Sequence, residues 1–122
     1  MSDEAPAVVG IAALAVDCAE PAELARWWGR LLGGSVEADE HGFATLHAPG
    51  LDIDFARVPE AKTGKNRLHL DLRSSDLAAA TEQAVALGAT RADDVYDGGD
   101  WQVMRDPEGN EFCFLRPRGT GG

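Results

Sequence analysis

Apolar and polar positions along this chain trace a pattern that runs once to residue 57 and then begins again. Val8 to Val16 is an unbroken apolar stretch of strand length, which predicts a strand covered on both faces. Pro21 marks a helix start, with Glu20 before it as a weak cap and Glu23 in the first turn. Leu24, Trp28, Leu31 and Leu32 fall on one helical face. Gly33-Gly34 ends that helix, because glycine adopts positive φ without steric cost. Three short strands are expected near Ser35–Ala38, Gly42–His47 and Leu51–Arg57. Turn compositions at residues 39–42 and at Pro49-Gly50 separate them.

Val58 to Lys65 is a polar connector with a proline and a glycine. The pattern then restarts. Arg67 to Leu72 alternates, with Leu68, Leu70 and Leu72 on one face and Arg67, His69 and Asp71 on the other. Ser75 is the expected N-cap of a second helix whose inner stripe is Leu77, Ala84 and Leu87, and Gly88 closes it. Strands are expected near Thr90–Val95, Trp101–Arg105 and Asn110–Arg116, the last preceded by the turn Asp106-Pro107-Glu108-Gly109.

The two halves align as a repeat. Ala13 precedes Glu20 by the same seven residues that separate His69 from Asp76. Leu32-Gly33-Gly34 matches Leu87-Gly88-Ala89, Phe43 matches Trp101, and Leu46 matches Met104. Asp52, Phe55 and Arg57 match Glu111, Phe114 and Arg116 in spacing. The fold class is therefore α+β, with two βαβββ modules in tandem whose curved mixed sheets enclose a cleft. One domain spans residues 8–117, with module one at 8–57, a linker at 58–65 and module two at 66–117. Residues 1–7 and 118–122 are expected to be flexible ends. Neither module is large enough to cover its own sheet, so the two are expected to share a core.

Composition narrows the class of partner. The 122 residues carry 21 acidic against 11 basic side chains, a net charge of −10, which disfavours nucleic acid and an anionic membrane. No apolar run approaches the roughly 18 residues of a membrane span. Cys18 and Cys113 lie far apart without a CxxC motif and read as small apolar fillers in a reducing, cytoplasmic setting.

The repeat singles out four equivalent strand positions: Ala13, Asp52, His69 and Glu111. If the modules pair about a pseudo-two-fold axis, all four point into the cleft. Histidine, glutamate and aspartate are ordinary ligands for Zn²⁺, Ni²⁺, Mn²⁺ or Fe²⁺. Two ligands do not fix a metal, and the plain alternative is that His69 and Glu111 are satisfied polar strand residues. Trp28 belongs to the helix core. Trp27 lies off that stripe and is expected at a dimer contact or part-exposed, while Trp101 reads as core or cleft wall. Arg57, Arg67, Arg105 and Arg116 are candidate anchors for an anionic substrate, against the plainer reading of solvated or acid-paired strand arginines. Gly64-Lys65 lacks the glycine and hydroxyl residue of a phosphate loop.

The segments at residues 16–28, 64–72, 87–90 and 106–112 give the chain a resemblance to the vicinal oxygen chelate superfamily. That superfamily holds glyoxalase I, fosfomycin and bleomycin resistance proteins and extradiol dioxygenases. The chain looks closest to small glyoxalase-like proteins of actinobacterial type. The resemblance covers about residues 8–117 and implies a homodimer acting on or binding a small molecule. It places His69 and Glu111 at metal-ligand positions, with Asp52 where a glutamate is expected. Ala13 stands where a ligating histidine or glutamine is expected, and alanine cannot ligate. With a metal, the resemblance implies lyase or isomerase chemistry, with Glu111 or Asp52 moving a proton. Without one, it implies a binding or antibiotic-sequestering protein; the candidate ligand-binding residues of this chain are Trp101, Arg67 and His47. A third reading is a partner-binding domain with a vestigial cleft.

Overall fold

A computed structural model of the chain describes Ala7, residues 11–58 and residues 70–117. The connector after Val58, with Arg67 and His69, lies outside the described residues, as do both ends apart from Ala7. Module one comprises β1 (Leu14–Cys18), α1 (Pro21–Leu32), β2 (Ser35–Ala38), β3 (Phe43–Ala48) and β4 (Leu51–Arg57). Module two comprises β5 (Asp71–Arg73), α2 (Leu77–Ala86), β6 (Thr90–Arg91), β7 (Trp101–Arg105) and β8 (Glu111–Leu115). Each module forms one mixed four-stranded sheet, ordered β1-β4-β3-β2 and β5-β8-β7-β6, with the first pair parallel and the others antiparallel.

The repeat holds to the residue in the strand register. Val16 lies opposite Phe55 as Leu72 lies opposite Phe114, and Leu46 opposite Ile53 as Met104 opposite Phe112. The same offset sets His47 opposite Asp52 and Arg105 opposite Glu111. The two carboxylates that the sequence aligns are thus equivalent in space.

One core joins the modules. Leu24, Trp27 and Trp28 of α1 cluster with Leu46, Ile53 and Phe55 of the first sheet and with Phe112 and Phe114 of the second. Trp27 is 3 % exposed, so the expectation of an outward or dimer-facing side chain is corrected. Its indole N–H donates to the Leu87 carbonyl at 2.9 Å, and its ring meets Trp28 and Phe112 edge-on at 5.1 and 5.9 Å. A helical face drawn from one module's apolar residues misses it because module two covers a second side of α1.

Several boundaries also move. β1 starts at Leu14 and runs through Cys18, and it alternates between half-buried and exposed positions before the buried Cys18. An edge strand tolerates Asp17 on its open side, where an apolar-run criterion stops. The second helix is capped by Asp76, one residue after Ser75, and its carboxylate accepts from the Ala79 N–H at 3.1 Å. The strand expected at Thr90–Val95 pairs only over Thr90–Arg91. Beyond it the chain folds over the second sheet, with the Ala92 N–H on the Val103 carbonyl and the Val95 N–H on the Ala92 carbonyl.

The α1 start is built across the modules. The Glu20 side chain caps nothing. Instead the Glu108 carboxylate accepts from the N–H groups of Ala19 and Glu20 at 2.7 and 2.9 Å. Asp106, buried, accepts from the Trp28 indole at 3.0 Å and from the backbone of Glu108 and Asn110. The turn before β8 is therefore a latch on α1, a role its turn composition did not disclose.

Candidate functional site

Strand alternation divides each sheet into a face on the shared core and an open face. On β4, Ile53 and Phe55 face the core, so Asp52 and Asp54 stand on the other side. Asp54 accepts from the Thr45 hydroxyl at 2.7 Å. The His47 ring bridges Asp52 through Nδ1 and Glu37 through Nε2, each at 3.0 Å. Those contacts raise the His47 pKa, the Asp52 hydrogen bond most and the Glu37 one next. His47 and Asp52 are thereby tied to each other.

On the second sheet, Phe112 and Phe114 face the core, and Glu111, Cys113 and Leu115 alternate to the open side. Arg105 lies opposite Glu111, 3.6 Å from its carboxylate, and forks onto Asp94 at 2.9 and 2.7 Å. That pairing lowers the Asp94 pKa and raises that of Arg105. The segment after β6 brings Tyr96 over Trp101, with centroids 3.8 Å apart and planes within 6°. Together these residues shape a cavity of about 470 Å³ lined by Asp71, Val95, Tyr96, Trp101, Val103, Glu111, Cys113 and Leu115. Its size and mostly apolar walls with a few polar groups match small-molecule sites. Trp101 is 39 % exposed, whereas Trp27 and Trp28 are buried.

Of the residues singled out in the sequence, Glu111 and Trp101 meet in this cavity. Asp52 and His47 sit together on the first sheet, and His69 and Arg67 lie outside the described residues. Sequence reading missed Tyr96 and Val95, because it ran a strand through Val95 and assigned Tyr96 to no element. The run Asp97-Gly98-Gly99-Asp100 signalled the turn that returns the chain to Trp101. Cys113 lines the cavity, while Cys18 is buried and its thiol is pushed up to about 12 by burial, with Glu108 and Asp106 adding to it. A thiol so high is not a nucleophile near neutrality.

Among the described residues, no three His, Cys, Asp or Glu side chains come together to hold a metal ion. Asp52 and Glu111 belong to different sheets, and each already faces a cationic or imidazole partner across its own ladder. The described donors alone do not fit a metal centre. No helix among these residues is long and apolar enough to cross a membrane.

Two tandem βαβββ modules share one core, and acidic and aromatic residues stand on the open sheet faces. The chain belongs to the glyoxalase-like domain family, whose model matches residues 13–115. No curated protein matches it in sequence. Among solved structures it is similar to the fosfomycin resistance protein FosX of Listeria monocytogenes, with 11% identity, a TM-score of 0.70 and coverage of 89% and 92% of the two chains. A mutant FosX solved with Mn(II) and 1S,2S-dihydroxypropylphosphonic acid matches at 11% identity and a TM-score of 0.70, covering 88% and 90%. A glyoxalase/bleomycin resistance protein/dioxygenase family enzyme of Burkholderia phytofirmans matches at 15% identity and a TM-score of 0.70, covering 86% and 96%. At these identities the likeness is one of fold.

Proposed function

We propose that this glyoxalase-like protein binds a small molecule bearing a flat ring in the cavity on the open face of the second sheet. The observation that carries this reading is the Tyr96–Trp101 stack standing beside Glu111 in one cavity. A part-exposed indole gives a planar ring a surface to stack on, and the apolar side chains of Val95, Val103 and Leu115 line the cavity with it. Glu111 supplies an acceptor, or a base for a proton at a ligand carbon or oxygen within reach. The protein works in the cytoplasm as a homodimer.

A second reading, metal-assisted lyase chemistry, draws on the FosX structure that holds Mn(II) and on the position of Glu111. It needs His69 beside Glu111, with Asp52 arriving from the other sheet.

Thermal shift with planar heteroaromatic fragments, and separately with Mn²⁺, Zn²⁺, Ni²⁺ and Fe²⁺, tests both readings. Fragment stabilisation that disappears in Trp101→Ala and survives in His47→Ala supports the binding reading. Stoichiometric metal binding lost in both His69→Ala and Glu111→Ala supports the metal reading instead. Fragments that act equally on wild type and Trp101→Ala overturn the proposed site.

A further inference from the structure

Tyr96 lies flat on the Trp101 indole, with centroids 3.8 Å apart and planes within 6°. The core pairs Trp27–Trp28, Trp28–Phe112 and Phe112–Phe114 meet edge-on instead. Aromatic pairs favour edge-on or offset contact over a face-to-face sandwich, so the Tyr96–Trp101 pair is held in the less favoured arrangement. The phenol also packs on the cluster of Ala92, Val103 and Cys113, and Val103 and Cys113 are walls of the cavity. It thus covers both the indole and the apolar floor beside it. The segment that carries Tyr96 is pinned on either side of it. Before it, the Ala92 N–H donates to the Val103 carbonyl at 2.8 Å, and the Arg105 guanidinium forks onto Asp94. After it, Arg116 donates to the Gly99 carbonyl at 2.6 Å. Between these pins the Tyr96 hydroxyl reaches Asp100 only at 3.3 Å, and the ring rests over Gly98, where a Cβ would collide with it.

We propose that Tyr96 is a built-in competitor for the ligand site. In the free protein its phenol fills the place that a ligand ring takes on Trp101, and the ligand binds by displacing it. The proposal rests on the cavity reading above and adds how that cavity opens. Two rings 3.8 Å apart hold nothing between them, so a third ring enters only if the phenol leaves or the pair is prised open. Prising the pair open with the phenol retained would lift a segment pinned at Ala92, Asp94 and Gly99. Displacement needs only a change of side-chain rotamer at Tyr96, with the pins kept. It uncovers the indole, Val103 and Cys113 together, so a flat apolar ring replaces the phenol like for like. The apparent affinity is then the intrinsic affinity scaled by the fraction of molecules whose indole is bare, and Tyr96 sets that fraction.

Isothermal titration with planar heteroaromatic fragments of quinoline size tests the displacement on wild type, Tyr96→Ala and Trp101→Ala. Tyr96→Ala should bind about tenfold more tightly, which corresponds to a bare indole in about one wild-type molecule in ten. Trp101→Ala should lose the binding. Gly98→Ala keeps the phenol but denies it its resting place, and it should also bind more tightly than wild type. That variant carries the test if Tyr96→Ala melts early. Weaker binding by Tyr96→Ala would make the phenol a wall of the site and overturn the displacement. Equal binding would mean that the ligand never meets Tyr96, and overturns it too. In both cases a loss of binding in Trp101→Ala leaves the cavity reading standing. Fragments that bind Trp101→Ala as well as wild type, or that bind none of these proteins, overturn the cavity reading and the displacement with it.

Discussion

His47 is held on both ring nitrogens by carboxylates, and the consequence is a pH dependence of known sign. Its folded pKa is raised above the ordinary 6.5, so the protonated ring is favoured by folding. The stabilisation is complete below about 6.5 and is lost as pH rises through the raised value. Urea denaturation across that window should show wild-type stability falling, and His47→Gln should flatten the slope. Glu108 is a second residue whose side chain works at a distance in sequence. Removing its carboxylate in Glu108→Ala strips two backbone donors at the start of α1 and should cost about 1 kcal/mol in the same assay. Glu20→Ala removes an exposed side chain that caps nothing, and should cost less than about 0.5 kcal/mol.

At the scale of elements, the exit from α1 depends on two glycines with different demands. Gly33 has φ +85° and open space where a Cβ would lie, so Gly33→Ala carries backbone strain alone, about 1–3 kcal/mol. Gly34 has φ +104°, and a Cβ there would collide with the His47 carbonyl oxygen on the neighbouring strand. Gly34→Ala should therefore exceed the Gly33→Ala loss clearly, read as the difference in urea midpoints. The elements themselves were legible in the sequence wherever one physical signal acted alone. The α1 span, the β4 span, the β7 span and the repeat offset all followed from periodicity and punctuation. What escaped was set by contacts between segments far apart in the chain. Trp27 is buried by module two, Glu108 caps a helix in module one, and Tyr96, past the end of β6, stacks on Trp101. No local period encodes these.

For the whole molecule, the shared core lies on the helix side of both sheets, and the chemistry-bearing residues stand on the open faces. Glu111 and Trp101 were visible in the sequence because the repeat and the rarity of tryptophan mark them. Their union in one cavity required the turn after β6, which the sequence reading drew as strand. The same arrangement explains why Asp52 and His47 pair with each other on the first sheet. The central claim is that the second-sheet cavity is the ligand site and that Trp101 is its stacking wall. Isothermal titration with a planar heteroaromatic fragment that stabilises the wild type tests it most directly, repeated on Trp101→Ala. Loss of the indole face should weaken binding about tenfold, the equivalent of roughly 1.4 kcal/mol. Equal affinity in the two proteins would contradict the account.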